Sequence, residues 1–204
     1  RIAALQRLWK SFEQHQSEMI AALAADTGRR RIAAIEFAGV QGMIAANCAL
    51  APAAFSDAAE RPSMIPGIVG RKQLVPYPVV GVIAPWNFPL ILSMIDAIPA
   101  LVAGCAVVLK PSEVTPRHVD PLRKIFAAVP ELERVFRIVR GPGATGADVI
   151  DGVDAIVCTG SVRTGRIVAE HAARRFIPAF LELGGKDPAI VTVDAALDRA
   201  STAV

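Results

Sequence analysis

Cysteine and histidine are scarce in this sequence, and neither is clustered. The three cysteines, Cys48, Cys105 and Cys158, are more than fifty residues apart, and the three histidines are equally scattered. Metal centres and disulfide frameworks both require such residues at short, paired spacings. We therefore expect no metal site and three free thiols, for which the reducing cytoplasm is the simplest compartment.

Aromatic residues and excess charge are also rare. Aromatics make up 5% of the chain, and the net charge is +3, too small a surplus to indicate a nucleic-acid partner. Hydrophobic residues nevertheless make up 53%, most of them Ala, Val, Ile and Leu. That composition is typical of a buried parallel sheet covered by helices.

One long apolar run, residues 88–109, raises the question of a membrane span. Asp96 lies near its middle, and Pro99 and Gly104 divide the run into a helix-sized and a strand-sized piece. A charged residue at the centre of a span costs about 2.5–3.5 kcal/mol. We therefore expect a buried helix followed by a buried strand, and no membrane association. The N-terminus lacks the pattern of a signal peptide.

The N-terminal part of the chain is predicted to be helical. Apolar residues recur at helical spacing over residues 2–27, and a glycine follows where the helix would end. A second helix is predicted over residues 31–50, closed by Pro52. Residues 56–78 are rich in proline and glycine, and they predict a connection with one edge strand at 73–75.

Strands and helices alternate from residue 79 onward. With the N-terminal helices before it, this pattern predicts one α/β domain built on a doubly wound parallel sheet, together filling residues 1–204. The predicted strands are 79–84, 106–110, 136–140, 154–159, 179–183 and 189–193, and the helices between them are 89–103, 116–128, a short one after residue 140, and 161–174. Ligands of such sheets bind beyond the carboxyl ends of the strands, so the residues after each strand are the functional candidates.

Polar side chains follow the first two of these strands. Asn87 lies in PWNFP (85–89), where its amide either serves a turn or donates to an oxyanion. Lys110 and Glu113 form either a surface ion pair that caps the next helix or a donor and an acceptor for a ribose diol. A carboxylate there would repel a 2′-phosphate and so favour NAD over NADP.

Glycine-rich loops follow the next two strands. GPGATG (141–146), which contains Gly143, matches the dinucleotide spacing G-x-G-x-x-G. The match is weak, because the helix after it is short and no acidic residue ends a strand about twenty positions on. Gly160 and Ser161 precede another helix, where they predict a phosphate seat, a helix N-cap, or both.

Glu182 is a lone acid in the apolar segment LELGGK (181–186). The glycine pair behind it lets another group approach the backbone closely. An unpaired carboxylate in apolar surroundings is costly. Glu182 therefore has either a structural role or the role of a general base, which apolar surroundings favour in a carboxylate.

Four segments, taken in order, resemble the NAD(P)-dependent aldehyde dehydrogenase superfamily. They are VVGVIAPWNFPL (79–90), AGCAVVLKPSEVTP (103–116), CTGSVRTGR (158–166) and LELGGKDPAIV (181–191). The resemblance extends over essentially the whole chain, and APWNFP, KPSE and LELGGK are specific in combination. That family does not use the G-x-G-x-x-G fingerprint, so the resemblance makes GPGATG a side wall beside the adenine.

The resemblance implies roles for individual residues. Asn87 would donate to the oxyanion, and Glu182 would activate the water that opens a thioester. The implied cofactor residues are Lys110 and Glu113 at the adenosine ribose, Gly160 and Ser161 at the pyrophosphate, Gly143 beside the adenine, Ile83 and Trp86 along the channel, and Leu183 near the nicotinamide. The implied reaction oxidises an aldehyde to a carboxylic acid with NAD, or with NADP, after attack by a cysteine thiolate.

The chain departs from the family in what it lacks. The family's nucleophilic cysteine and nearly all of the catalytic domain would lie past Val204, and Cys105 and Cys158 are expected to be core residues. We therefore expect a fragment that does not oxidise aldehydes alone and that forms homo-oligomers when complete. The alternatives are a non-catalytic dinucleotide-binding module and a short enzyme that uses GPGATG as its phosphate cradle.

Overall fold

The computed structural model describes residues 1–56 and 60–203. Its helices are α1 (Ile2–Gln14), α2 (Gln16–Thr27), α3 (Arg30–Ala54), α4 (Ile91–Ala103), α5 (Val119–Ala127), α6 (Pro130–Glu133), α7 (Thr145–Asp151), α8 (Val162–Arg175) and α9 (Leu197–Ala203). Its strands are β1 (Arg61–Pro62), β2 (Val69–Gly70), β3 (Val79–Ile83), β4 (Ala106–Lys110), β5 (Phe136–Ile138), β6 (Ala155–Gly160) and β7 (Ala179–Leu183).

Strands β3 to β7 form one parallel sheet in the order β5-β4-β3-β6-β7. The chain starts at β3 in the centre, adds β4 and β5 on one side, and then returns to add β6 and β7 on the other. This is the doubly wound arrangement that the sequence predicted. Its order reverses between β3 and β6, which is where such sheets form a binding crevice. The short strands β1 and β2 pair separately and antiparallel.

Both faces of the sheet are covered. On one face, Val82 and Leu109 belong to a large core that includes Phe37 of α3. On the other face, Ile156 packs in a smaller core with Val168 of α8. Because their side chains meet apolar surroundings on both sides, the central strands consist almost wholly of aliphatic residues.

Two of the predicted strands are wrong. At 189–193, Ile190 is 86% and Val193 106% exposed. Residues 184–188 are too few for the crossover of about a dozen residues that a further parallel strand requires. The edge strand predicted at 73–75 is also absent, because the neighbouring prolines at 76 and 78 have no N–H to donate to a ladder.

The helix predictions also need correction at two places. The predicted helix over 2–27 breaks at His15, whose backbone angles of φ −107° and ψ 11° end α1 and begin α2. Helix α3 extends through Pro52, which lies inside its last turn. The apolar run 88–109 divides into α4 and β4 as predicted. Residues 57–59 of the predicted connection lie outside the described residues.

Helix α3 is long enough and apolar enough to cross a membrane by length and composition alone. Its buried face, which includes Ala33, Phe37, Val40 and Ile44, belongs to the large core of the domain. Core helices of globular domains pass the same test. Packing therefore explains the apolar residues of the inner face of α3, whereas Ile35 and Leu50 on its outer face are exposed.

Adding a side chain at Gly81, in the middle of β3, should overpack the sheet. A Cβ atom there would lie 2.6 Å from Ile156 Cδ1 and 3.1 Å from Val149 Cγ1. We expect Gly81→Ala to lower the free energy of unfolding by about 1–3 kcal/mol, measured by urea denaturation. Gly42→Ala in α3 is the control, because its Cβ meets nothing within 4 Å and alanine stabilises a helix by roughly 0.5–1 kcal/mol. Equal stability of the two variants would contradict this expectation.

Candidate functional site

A groove opens beyond the carboxyl ends of β3 and β6, where the strand order reverses. Its volume is about 720 Å³, within the range usual for ligand pockets. Seven of the eight predicted cofactor residues line it, namely Ile83, Trp86, Lys110, Glu113, Gly143, Gly160 and Ser161. The structure thus brings together residues that were singled out separately, one strand end at a time.

Lys110 and Glu113 form an ion pair on the wall of the groove, with 3.0 Å between Nζ and Oε2. The side chain of Lys110 is 5% exposed, whereas that of Glu113 is 52% exposed. Hydrogen bonds from its own backbone N–H and from Lys110 hold the pKa of Glu113 below its usual value. An ionised carboxylate therefore faces the groove, backed by the buried side chain of Lys110.

Gly160 and Ser161 lie where β6 passes into α8. Ser161 is the N-cap of α8, and its Oγ accepts the N–H of Thr164 at 3.1 Å. The remaining N–H groups of the first turn have no acceptor within the helix. A Cβ atom at Gly160 would meet nothing within 4 Å, so the backbone is open to close approach from the groove. The N-cap and the phosphate seat are therefore compatible.

The GPGATG loop (141–146) forms one wall of this groove. Gly143 and Gly146 line it, and the cavity continues between α7 and α8 past Ile150 and Ile167. The helix that follows the loop, α7, has only seven residues. The loop therefore borders the same groove that Lys110 and Glu113 line, and its residues Gly141 and Pro142 also line a second, smaller cavity beside Glu113.

Glu182 and Leu183 lie on β7, outside the groove lining. Leu183 packs against α8, where a Cβ atom at Gly165 would lie 2.4 Å from its Cδ2. Side chains alternate along a strand, so Glu182 points to the opposite face of the sheet, where it is exposed. The apolar surroundings expected around Glu182 are therefore not formed by the described residues.

Sequence reasoning missed the acid that lies near Glu182. Asp96 is on α4, and in the sequence it is notable only as a charged residue within the apolar run 88–109. Burial, followed by the charge of Glu182, raises the pKa of Asp96. Two carboxyl groups therefore share this face of the sheet.

Trp86 and Asn87 lie in the loop between β3 and α4, and both are exposed. The loop is held through its backbone. Thr115 Oγ1 donates to the carbonyl of Trp86 at 3.4 Å, and the guanidinium of Arg29 donates to the carbonyl of Asn87. The side-chain amide of Asn87 thus extends from a loop whose backbone carbonyls accept hydrogen bonds from Thr115 and Arg29.

His118 was also missed, and it contacts Thr115, the residue that donates to the carbonyl of Trp86. It is fully buried, and its Nδ1 lies 2.9 Å from the carbonyl oxygen of Thr115. Burial lowers the pKa of His118 to about 4, so the ring is neutral at physiological pH. Its Nε2 has no hydrogen-bond partner within residues 1–56 and 60–203.

All three cysteines are buried and free. Burial raises the pKa of Cys48 and of Cys105, and it raises that of Cys158 to about 11. The thiolate is the nucleophilic form of cysteine, so none of these thiols is prepared for attack. Over the described part of the chain, no three His, Cys, Asp or Glu side chains converge as metal ligands.

The aldehyde dehydrogenase family model matches residues 1–204. The chain belongs to the aldehyde dehydrogenase family. A Mycolicibacterium smegmatis protein that carries the name succinate-semialdehyde dehydrogenase (NADP+) is 38% identical to this chain. The match covers 100% of this chain and 40% of the relative's own length. The 4,4'-diapolycopene aldehyde oxidase of a Methylomonas species is 44% identical over 70% of this chain and 27% of its own length.

Solved structures of aldehyde dehydrogenases share the fold. One from Anabaena variabilis superposes with a TM-score of 0.95 at 52% identity, over 100% of this chain and 43% of its own. The betaine aldehyde dehydrogenase of Staphylococcus aureus, in complex with NAD+, gives a TM-score of 0.89 at 26% identity, over 100% and 41%. This chain therefore spans less than half the length of the family members that it matches here.

Protonation of His118 should destabilise the fold at acid pH. Its pKa is about 4 in the folded state and about 6.5 in an unfolded chain. The unfolded state therefore binds more protons as pH falls through this window. Stability that is complete above about pH 6.5 should decline by about 3 kcal/mol towards pH 4.

Urea denaturation across that window measures the effect. His118→Leu cannot take up this proton, so its free energy of unfolding should fall less steeply with pH than that of the wild type, whatever its stability at neutral pH. Identical pH slopes for the two proteins would show that His118 does not titrate in this way.

Proposed function

We propose that this chain forms the cofactor-binding half of an NAD(P)-dependent aldehyde dehydrogenase, which oxidises an aldehyde to a carboxylic acid through a cysteine thioester. The observation that carries the proposal is the convergence of Lys110, Glu113 and Ser161 on one groove at the reversal of strand order. Membership of the aldehyde dehydrogenase family supports the reaction class.

Lys110 and Glu113 are suited to the adenosine ribose. A carboxylate accepts hydrogen bonds from a diol, and the ammonium group of Lys110 donates to the same hydroxyls. An ionised Glu113 repels a 2′-phosphate, so NAD is the favoured cofactor. NADP remains the alternative, because the Mycolicibacterium smegmatis relative is named for it.

The first turn of α8 is suited to the pyrophosphate. Its free N–H groups and the positive end of the helix dipole attract an anion, and Gly160 leaves room for it beside Ser161. The adenine would then lie between α7 and α8, against Gly143 and Ile167. Ile83 and Trp86 line the rest of the channel, and the backbone of Leu183 would lie near the nicotinamide.

Asn87 and Glu182 would act on the substrate. The bound cofactor would supply the hydride acceptor. The amide of Asn87 would donate a hydrogen bond to the aldehyde oxygen as negative charge develops on it. Glu182 would take a proton from the water that opens the thioester. The nucleophilic cysteine of this reaction is none of the three buried thiols.

We also propose a substrate class, partners and a compartment for the complete enzyme. A small-molecule aldehyde is the substrate, and the complete protein forms a homo-oligomer without nucleic acid or membrane partners. Three unpaired cysteines support a reducing cytoplasm.

The burial of those cysteines also favours a second candidate function. A chain with this groove and no reactive thiol is suited to bind a dinucleotide without chemistry. Measurable NAD affinity is common to both candidates, and aldehyde oxidation by a protein that contains this chain separates them.

The 204-residue chain alone is expected not to oxidise aldehydes. Its thiols are buried and protonated, so no covalent intermediate can form on them. The assay incubates the chain with NAD and benzaldehyde or propanal, and follows NADH by absorbance, with a complete aldehyde dehydrogenase as the positive control. NADH formed above the enzyme-free background would contradict this expectation.

Glu113→Gln is expected to weaken NAD binding to the chain about tenfold or more, because a charge-assisted hydrogen bond contributes roughly 1.5–3 kcal/mol. Isothermal titration calorimetry measures the dissociation constant. Glu131→Gln is the matched control, since Glu131 also forms an ion pair, with Arg7, but lies outside the groove lining.

Gly143→Val distinguishes the remaining alternative, in which GPGATG cradles the phosphates. A Cβ atom at Gly143 meets nothing within 4 Å, so the branch point of the valine side chain fits without displacing a neighbour. Loss of NAD binding in Gly143→Val, with unchanged affinity in Glu113→Gln, would replace the proposed site by that loop.

A further inference from the structure

The loop of residues 85–89 carries both Trp86 and Asn87, yet it has no regular secondary structure and lies largely at the surface. An oxyanion donor is effective only when its position is fixed before reaction. The contacts that could fix this loop are not made by the sheet alone. They come in large part from the N-terminal helices, through Arg29 and Glu36.

Glu36 caps the helix that follows the loop. Its Oε1 accepts the backbone N–H of Leu90 at 2.7 Å and that of Ile91 at 2.9 Å. These groups belong to the start of α4, where backbone N–H groups have no acceptor within the helix and where Leu90 provides no side-chain cap. A carboxylate at this end also complements the helix dipole. Glu36 therefore fixes the point at which the loop becomes α4.

Glu36 makes this contact from a buried position. The residue is 2% exposed on the inner face of α3, between Ala33 and Val40. Burial raises the pKa of Glu36, whereas the two backbone N–H groups and the charge of Arg29 oppose that rise. The hydrogen bonds to Leu90 and Ile91, which lie more than fifty residues away in sequence, give this buried carboxylate its partners.

Arg29 holds the middle of the same loop. Its guanidinium donates to the carbonyl oxygen of Asn87 and lies over the ring of Phe88, with 4.9 Å between Cζ and the ring centroid. It precedes α3 directly, about two turns before Glu36 on that helix. The two side chains thus hold one backbone group within the loop, the Asn87 carbonyl, and two at the point where the loop enters α4, the N–H groups of Leu90 and Ile91.

We propose that Arg29 and Glu36 are positioning residues that clamp the loop of residues 85–89 and thereby fix the places of the Trp86 indole and the Asn87 amide. The functional importance of this clamp rests on the proposed function, because only there is Asn87 an oxyanion donor. The clamp itself is a physical property of the chain, and it is testable without turnover.

Trp86 reports on the loop directly. The chain has two tryptophans, Trp9 and Trp86, so Trp9→Phe leaves Trp86 as the only tryptophan. In that background, acrylamide quenching and fluorescence anisotropy measure the accessibility and local motion of the loop. Trp86 is already 57% exposed, so Arg29→Ala should raise the quenching constant by less than twofold, and it should lower the anisotropy, because the loop then opens locally at low cost.

Two further variants separate clamping from general destabilisation. Arg30→Ala, the exposed neighbour at the start of α3, should leave quenching unchanged. Arg29→Lys should restore most of the protection, since a lysine can still donate to the Asn87 carbonyl and lie over Phe88. Unfolding midpoints measured in parallel should differ little between Arg29→Ala and Arg30→Ala.

Glu36 is tested by the same readout. Glu36→Gln keeps an oxygen that can accept both N–H groups and should behave as the parent, whereas Glu36→Leu should free Trp86 as Arg29→Ala does. If Glu36→Leu does not fold, the arginine variants still decide the question. Quenching in Arg29→Ala equal to that in Arg30→Ala would overturn the proposal.

The outcome for the clamp is separate from that for the proposed function. NAD affinity of the parent chain is measured by calorimetry on the same samples, and its absence would refute the cofactor groove alone. A change in Trp86 quenching would still support the clamp in that case.

Discussion

The parallel pairing of β3 with β4 on one side and with β6 on the other determines where every candidate group lies. Parallel strands end at the same edge of a sheet, so Ile83, Lys110 and Gly160 come to one rim although they are distant in sequence. The winding direction reverses between β3 and β6, and this leaves a crevice that no crossover covers. The groove, its ion pair and its helix N-terminus all follow from that single arrangement.

Much of the fold was predictable because burial on both faces produces unmistakable aliphatic strands. The inner strands β3, β4 and β6 carry this signal, whereas the edge strands β5 and β7 are partly exposed and contain Arg137 and Glu182. All five were predicted within two residues of their observed ends. The segment 189–193 carries the aliphatic signal too, yet Ile190 and Val193 are exposed. Aliphatic composition indicates burial against something, and it does not specify a strand. No feature of the sequence predicts the break at His15, because the helical spacing of apolar residues continues across it.

The groove side of the candidate site was predictable from strand ends, whereas its supports were not. Lys110 and Glu113 are three residues apart, so their pairing is a local matter. The contact of Arg29 with Asn87 joins residues fifty-eight positions apart and depends on how helices pack, which residue spacing does not reveal. His118 contacts Thr115 only three residues away, but its complete burial depends on that packing as well. Glu36 did leave a sign, as the one acid on the apolar face of α3. The surroundings of Glu182 were misjudged, because neighbours in sequence are not neighbours in space.

Helix α3 has two faces with opposite tolerance to change. Ile35 and Leu50 are exposed on its outer face, where a substitution has little to disturb. Its inner face must place the Glu36 carboxylate at the start of α4. One residue inserted before Glu36 would rotate it by about 100° around the helix axis and carry the carboxylate away from Leu90. The rotational register of an N-terminal helix is therefore a requirement of the site as well as of the core.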